Sequence, residues 1–145
     1  SGSGDWNTAY QIFNSSGQPQ LTGGAYAFLP SPSFDTTEAS IAVNPADNTF
    51  AIAARVDGSP DYISIQAFNA DGTFLGTRFD MGSVTDQYRD PSVAFQENGT
   101  IAGVARDDTG SESISLGIVD PVTDTTIGPL DVNAPCYCSC SILQY

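Results

Sequence analysis

EASIAVNPADNTFAIAARVDGSPDYISIQAFNADGTFLGTRFDMG occupies residues 38–82, and DPSVAFQENGTIAGVARDDTGSESISLGIVDPVTDTTIGPLDVN, at 90–133, lines up with it. From residue 47 onward the offset is a constant 51. It pairs Thr49 with Thr100, Phe50 with Ile101, Ala54 with Ala105, Arg55 with Arg106, Ile63 with Ile114, Ile65 with Leu116 and Asp80 with Asp131. Ser40–Val43 pairs with Ser92–Phe95 at offset 52, because Ala46 is an extra turn residue. Self-similarity at such a period, without a helical pattern, points to small stacked sheets that bury their faces on one another.

Two further copies are incomplete. DWNTAYQIFNSSGQPQLTG (5–23) resembles the second half of a unit, with Gln11-Ile12-Phe13-Asn14 matching Gln66-Ala67-Phe68-Asn69. Cys140-Ser141-Ile142-Leu143 matches Pro91-Ser92-Val93-Ala94, the opening strand of a unit. The organisation expected is one repeat domain over 1–145: a half unit at 1–35, full units at 36–87 and 88–135, and the first strand of a further unit at 136–145.

Alternation and β-branched content place strands at 39–44, 49–56, 62–68 and 74–80, with equivalents at 91–96, 100–106, 113–119 and 126–132. Turn chemistry separates them: Asp47-Asn48 and Asn98-Gly99 after the first strand, and Asn14–Gly17 and Asn69–Gly72 between the third and fourth. Almost no helix is expected. Four antiparallel strands in a recurring unit describe the blade of a β-propeller; a β-sandwich is the alternative reading. Ile41 and Val93, Phe50 and Ile101, and Ile65 and Leu116 are expected to be buried at matching positions.

The pattern Ser-Ile/Val-Ala, then Asn/Asp-Gly-Thr, then Ile-x-Φ-x-x-Phe-Asn-x-x-Gly resembles the tandem repeats of large secreted bacterial surface and adhesion proteins. The resemblance implies propeller blades and an extracellular or cell-surface setting, without one shared activity. In that family an aromatic often ends the second strand, where this chain has Arg55 and Arg106.

Composition narrows the function. The chain has 145 residues and a net charge of −13, with four Arg, no Lys and no His. Such an acidic chain repels nucleic acid and anionic lipid. Its apolar runs are too short for a membrane helix. No basic-plus-apolar leader opens it, so a secretion signal is expected to have been removed or to have been missing from the start. Without His, the usual Ser or Cys triads and His-ligated zinc are excluded. A glycosidase-type carboxylate pair is the remaining catalytic option. The carboxylates fall on turns, so no enzyme is expected and no cofactor, with the Asp57–Asp61 and Asp107–Glu112 loops a weak pointer to calcium.

Four groups of residues carry the candidate chemistry. Cys136, Cys138 and Cys140 alternate along one strand, which disfavours pairing among themselves. Their odd number leaves inert buried thiols, a soft-metal site, or bonds to another chain as the readings. Arg55 and Arg106, each followed two residues later by an acid, read as an internal Arg–Asp clamp or as a ring gripping a carboxylate or sulfated sugar. Asn14 and Asn98 open N-glycosylation sequons. Trp6, Tyr10, Tyr26 and Tyr62 are aromatics for packing or for stacking on sugars.

These readings converge on a structural, self-associating protein whose partners are copies of itself. Ser139–Tyr145, with Ile142 and Leu143, is expected to add to the 5–28 sheet of a neighbour and close a ring or extend a filament. A carbohydrate-binding propeller is the alternative, with glycans as partners. The plain rival for the incomplete ends is that the missing strands lie on a longer parent chain.

Overall fold

A computed structural model of the chain describes residues 7–21, 26–27, 34–82, 87–109 and 113–132. These residues are all-β, with no helix. Two short strands, β1 (Ala9–Tyr10) and β2 (Tyr26–Ala27), form a two-stranded sheet. Sheet I contains β3 (Asp35–Val43), β4 (Phe50–Asp57), β5 (Tyr62–Phe68) and β6 (Phe74–Met81). Sheet II contains β7 (Tyr88–Phe95), β8 (Ile101–Asp107), β9 (Ser113–Asp120) and β10 (Thr125–Asp131). Each is a four-stranded antiparallel meander in sequence order.

The sequence offset carries through to the registers. Phe50 faces Phe68 and Arg55 faces Ile63 across β4–β5; Ile101 faces Val119 and Arg106 faces Ile114 across β8–β9. The first strands start earlier than alternation alone suggests. Each passes through a register shift, at Thr37/Ser40 in β3 and Arg89/Ser92 in β7. A bulge residue with positive φ sits in each: Glu38 (φ 50°) and Asp90 (φ 52°). The bulge lets the ladder continue beyond the residue that would otherwise end it.

Side chains on one surface of a sheet come from alternate residues and from their cross-strand partners. In sheet I, Ala51, Ala53, Ile63, Ile65, Ala67 and Met81 line one face, here called A. Ile41, Val43, Phe50, Ile52, Ala54, Val56 and Phe68 line the other, B. Face A of sheet I packs on face B of sheet II, where Val93, Ile101, Ala105 and Val119 complete one core cluster. Gly103 of β8 lies directly under Ile65, so a Cβ there would collide with the Ile65 side chain. The second cluster covers much of face B of sheet I: Phe50, Ile52, Ala54, Val56 and Phe68, capped by Tyr10 and Ile12. Phe50 and Phe68 stack with ring centroids 4.8 Å apart, and Tyr10 sits 4.9 Å from Phe68.

Sheet I therefore lies between two layers, and β4 and β5 are buried almost without a break. In sheet II, β8 and β9 mostly alternate buried with half-buried residues, because only one face is covered by described residues.

Two burial expectations are corrected. Ile41 is 60% exposed, whereas its equivalent Val93 is 8% exposed. The difference lies in what covers them: β7 rests on β3 and β4, while no described strand lies over the corresponding part of β3. Leu116 is only half-buried, while Ile65 is buried, because Leu116 lies on the face of sheet II that no other described layer covers.

Candidate functional site: two open sheet surfaces and an arginine–carboxylate ladder

The N-terminal hairpin turns at Asn14–Gly17 with the hydrogen bonds seen at Asn69–Gly72. The Asn14 N–H donates to the Gln18 carbonyl (2.9 Å) and the Gly17 N–H to the Asn14 carbonyl (2.9 Å). The Asn69 N–H donates to the Thr73 carbonyl (2.8 Å) and the Gly72 N–H to the Asn69 carbonyl (2.9 Å). Matched on that turn, Ile12 stands where Ala67 stands in sheet I, on face A. The hairpin thus rests its A side on face B of sheet I, as sheet I rests its A side on sheet II. The same positions receive it: Phe50, Ala54 and Phe68 in one junction, Ile101, Ala105 and Val119 in the other.

This A-on-B contact is directional and leaves two surfaces open among the described residues. The first is face A of sheet II. There Ala102, Val104, Ile114, Leu116 and Ile118 are half-buried, whereas their counterparts Ala51, Ala53, Ile63, Ile65 and Ala67 are buried. The contrast sharpens toward the outer strand, where Val132 is 57% exposed against 0% for Met81.

The second surface is a groove between the hairpin and β3. A cavity of about 490 Å³ is walled by Tyr10, Ile12 and Phe13 and floored by Ile41, Val43 and Phe50. A smaller one, about 260 Å³, adjoins it along Thr8–Gln11 over Ala39–Ile41 and Ile52. The hairpin is tied down beside it: the Thr8 N–H donates to Thr36 Oγ1 at 2.6 Å, and the Tyr10 hydroxyl donates to the Gly72 carbonyl at 3.1 Å.

A ladder of ion pairs crosses the junction between the sheets. Arg55 meets Glu38 (2.8 Å), Asp57 (3.0 Å) and Asp61 (2.8 Å). Arg89 reaches back to Asp61 at 3.9 Å and pairs with Asp108 at 2.9 Å. Arg106 meets Asp90 and Asp108, each at 3.2 Å. Glu38–Arg55 and Asp90–Arg106 are equivalent pairs, each springing from a bulge. The bulges are also joined directly, since Glu38 Oε2 accepts the Asp90 N–H at 3.0 Å. Partial burial works to raise the Glu38 pKa, but the Asp90 N–H and the Arg55 guanidinium outweigh it and hold it below the usual carboxylate value. For Arg55, burial works downward and is outweighed by Glu38, Asp61 and Asp57, so its pKa is raised.

Both arginines singled out in the sequence are thus engaged by carboxylates of this chain. Sequence reasoning missed Arg89 and the bulge acids, and read Asp61 as part of a loop pointing to calcium rather than as a partner of Arg55. The acids had a signal: Glu38 and Asp90 each stand two residues before the Ser-Φ-Ala strand. Asn14 and Asn98 are both exposed and both use the side-chain oxygen in their turns. Asn14 accepts from the Ser16 N–H (3.0 Å), and Asn98 from the Thr100 N–H (3.1 Å). Tyr62 lines a cavity of about 490 Å³ with Phe34, Pro60 and Asp80. Trp6, Cys136, Cys138, Cys140, Ile142 and Leu143 lie outside the described residues, as does the Tyr26 side chain. Among the described residues no group of acids or thiols gathers that could hold a metal ion. No helix among them is long and apolar enough to cross a membrane.

No known protein family, curated protein or solved structure matches the chain. The class is defined by the fold alone: an all-β chain with two four-stranded antiparallel sheets packed face to face.

Proposed function

We propose that this chain is a structural β-repeat protein of the extracellular space or cell surface, whose copies join head to tail by strand exchange. The observation that carries the proposal is the directional contact, used at both junctions and open at face A of sheet II. A contact between two different faces cannot be made by one patch meeting its own copy; it closes a ring, of two chains or more, or propagates. The sheets are read as propeller blades rather than halves of a sandwich. Sheet I is covered on both faces, first strand lies against first strand (β3 on β7), and outer strand approaches outer strand (β6 and β10). A sandwich would give each sheet one face in a shared core and one face in water. Two chains closing a ring would hold about six blades, within the usual ~4–8.

Light scattering on the full chain over a range of concentrations tests this. The expected result is species heavier than the 15.2 kDa chain. A lone 15.2 kDa species throughout would contradict the proposal. The cavity with Phe34 and Tyr62 beside the Asp80 carboxylate supports a second reading, a carbohydrate-binding module. Retention of glycans by a monodisperse particle would favour it.

A further inference from the structure

The groove beside β3 has the form of a strand site. Its wall is β1, which matches the third strand of a unit, so the place of a first strand lies beyond it, over β3. Its floor is apolar, with Ile41 and Val43 among the exposed large hydrophobic residues of the described chain. The two adjoining cavities share Tyr10, Gln11 and Ile41, so the groove runs along β3 rather than ending in a pit. At the equivalent place in sheet II, Val93 is covered by sheet I, whose opening strand β3 packs on β7 together with β4. The occupant required is therefore the opening strand of a unit, lying with its A side on the floor.

One stretch of the chain outside the described residues has that sequence. Cys140-Ser141-Ile142-Leu143 matches Pro91-Ser92-Val93-Ala94, the core of β7. The same alignment puts Ser139 at the place of the bulge residues Glu38 and Asp90. Resting on the head-to-tail reading, we infer that the groove of Phe13, Ile41 and Val43 is the receptor for residues 139–143 of a second copy. In that seat Ser141 and Leu143, aligned with Ser92 and Ala94, would supply the side that rests on the Ile41–Val43 floor. Cys140 and Ile142, aligned with Pro91 and Val93, would then present the opposite side, the one that a unit turns to face A of the sheet before it. Asp90 stands at the rim of face A of sheet II, as Glu38 does in sheet I, ready to accept the Ser139 N–H as Glu38 accepts that of Asp90. One added strand would thus meet both open surfaces.

Complementation between two full-length variants tests the assignment. One carries Ile41→Asp and Val43→Asp, which block the groove at exposed positions and leave the core clusters untouched. The other carries Ile142→Asp and Leu143→Asp, which block the segment. Val122→Asp, at an 80% exposed turn position, controls for added charge. An unchanged circular dichroism spectrum and a cooperative melt confirm that each variant folds. By light scattering, wild type and the control should assemble, and each blocked variant should remain at 15.2 kDa. An equimolar mixture of the two should give a particle of twice that mass and stop there, because only one of its two possible joints is intact. Assembly of either blocked variant alone, or a mixture that stays monomeric, overturns the receptor assignment while leaving head-to-tail association standing. A monomeric wild type overturns both.

Discussion

Ile65 and Leu116 hold equivalent positions in the two sheets, yet their truncation should cost different amounts. Ile65 is 2% exposed and presses on Gly103 of the facing sheet. Ile65→Ala opens a cavity at a closed junction, and such changes cost about 2–5 kcal/mol. Leu116 lies on the open face of sheet II and keeps part of its surface in water. Leu116→Ala in the isolated chain should cost about half as much, ~1–2 kcal/mol, because less apolar area returns to solvent and no closed cavity is left. Urea titrations at low protein concentration, read by circular dichroism, resolve a gap of this size. The gap should narrow as concentration rises, since association stabilises the folded state and Leu116 then lies within a contact. Equal costs for the two variants at the lowest concentration would show that face A of sheet II is already covered, and the account of an open end would fail.

Further outcomes follow from the ladder and the close approaches. Arg55→Ala strands three carboxylates and should cost about 1–3 kcal/mol, whereas Arg78→Ala, at an exposed single pair, should stay within ~0.5 kcal/mol; thermal melts compare them. Glu38→Gln should lower the melting temperature slightly at pH 7. Because the folded-state pKa of Glu38 is lowered from its ordinary value, its contribution is present above that ordinary value and is lost as pH falls through the folded pKa, so wild type and variant should converge at the acidic end of the range. Convergence at high rather than low pH would refute the assignment. Gly76 has φ 66°, and a Cβ there would strike the Pro121 carbonyl at the outer contact between the sheets; Gly76→Val should therefore cost about 1–3 kcal/mol by denaturant titration.

Much of the fold was legible because local chemistry and the repeat offset agree. Asn69–Gly72 and Asn98-Gly99 lie in turns flanked by strands, and the Phe50/Ile101 equivalence extends to burial in the same role. What failed was burial that depends on a neighbouring layer. Ile41 reads like Val93 in any window of sequence, and only the layer above it decides whether it meets protein or water. The clamp at Arg55 was legible through Asp57, two residues away. Its stronger partners, Glu38 and Asp61, depend on a bulge and on the connection between β4 and β5, neither of which alternation reveals. Arg89 was invisible for the same reason: it acts across the junction, on Asp61 of the preceding sheet.

Methyl NMR across a dilution series tests the central claim most directly, because a directional contact must engage two different surfaces at once. Between the lowest and highest concentrations, the methyl signals of Ile41 and Val43 should shift together with those of Leu116 and Ile118. Those of Val56 and Ile63, already enclosed in the two core clusters, should hold still. Movement confined to one of the two surfaces would mean a symmetric face-to-face pair, and no movement at either would contradict end-to-end association altogether.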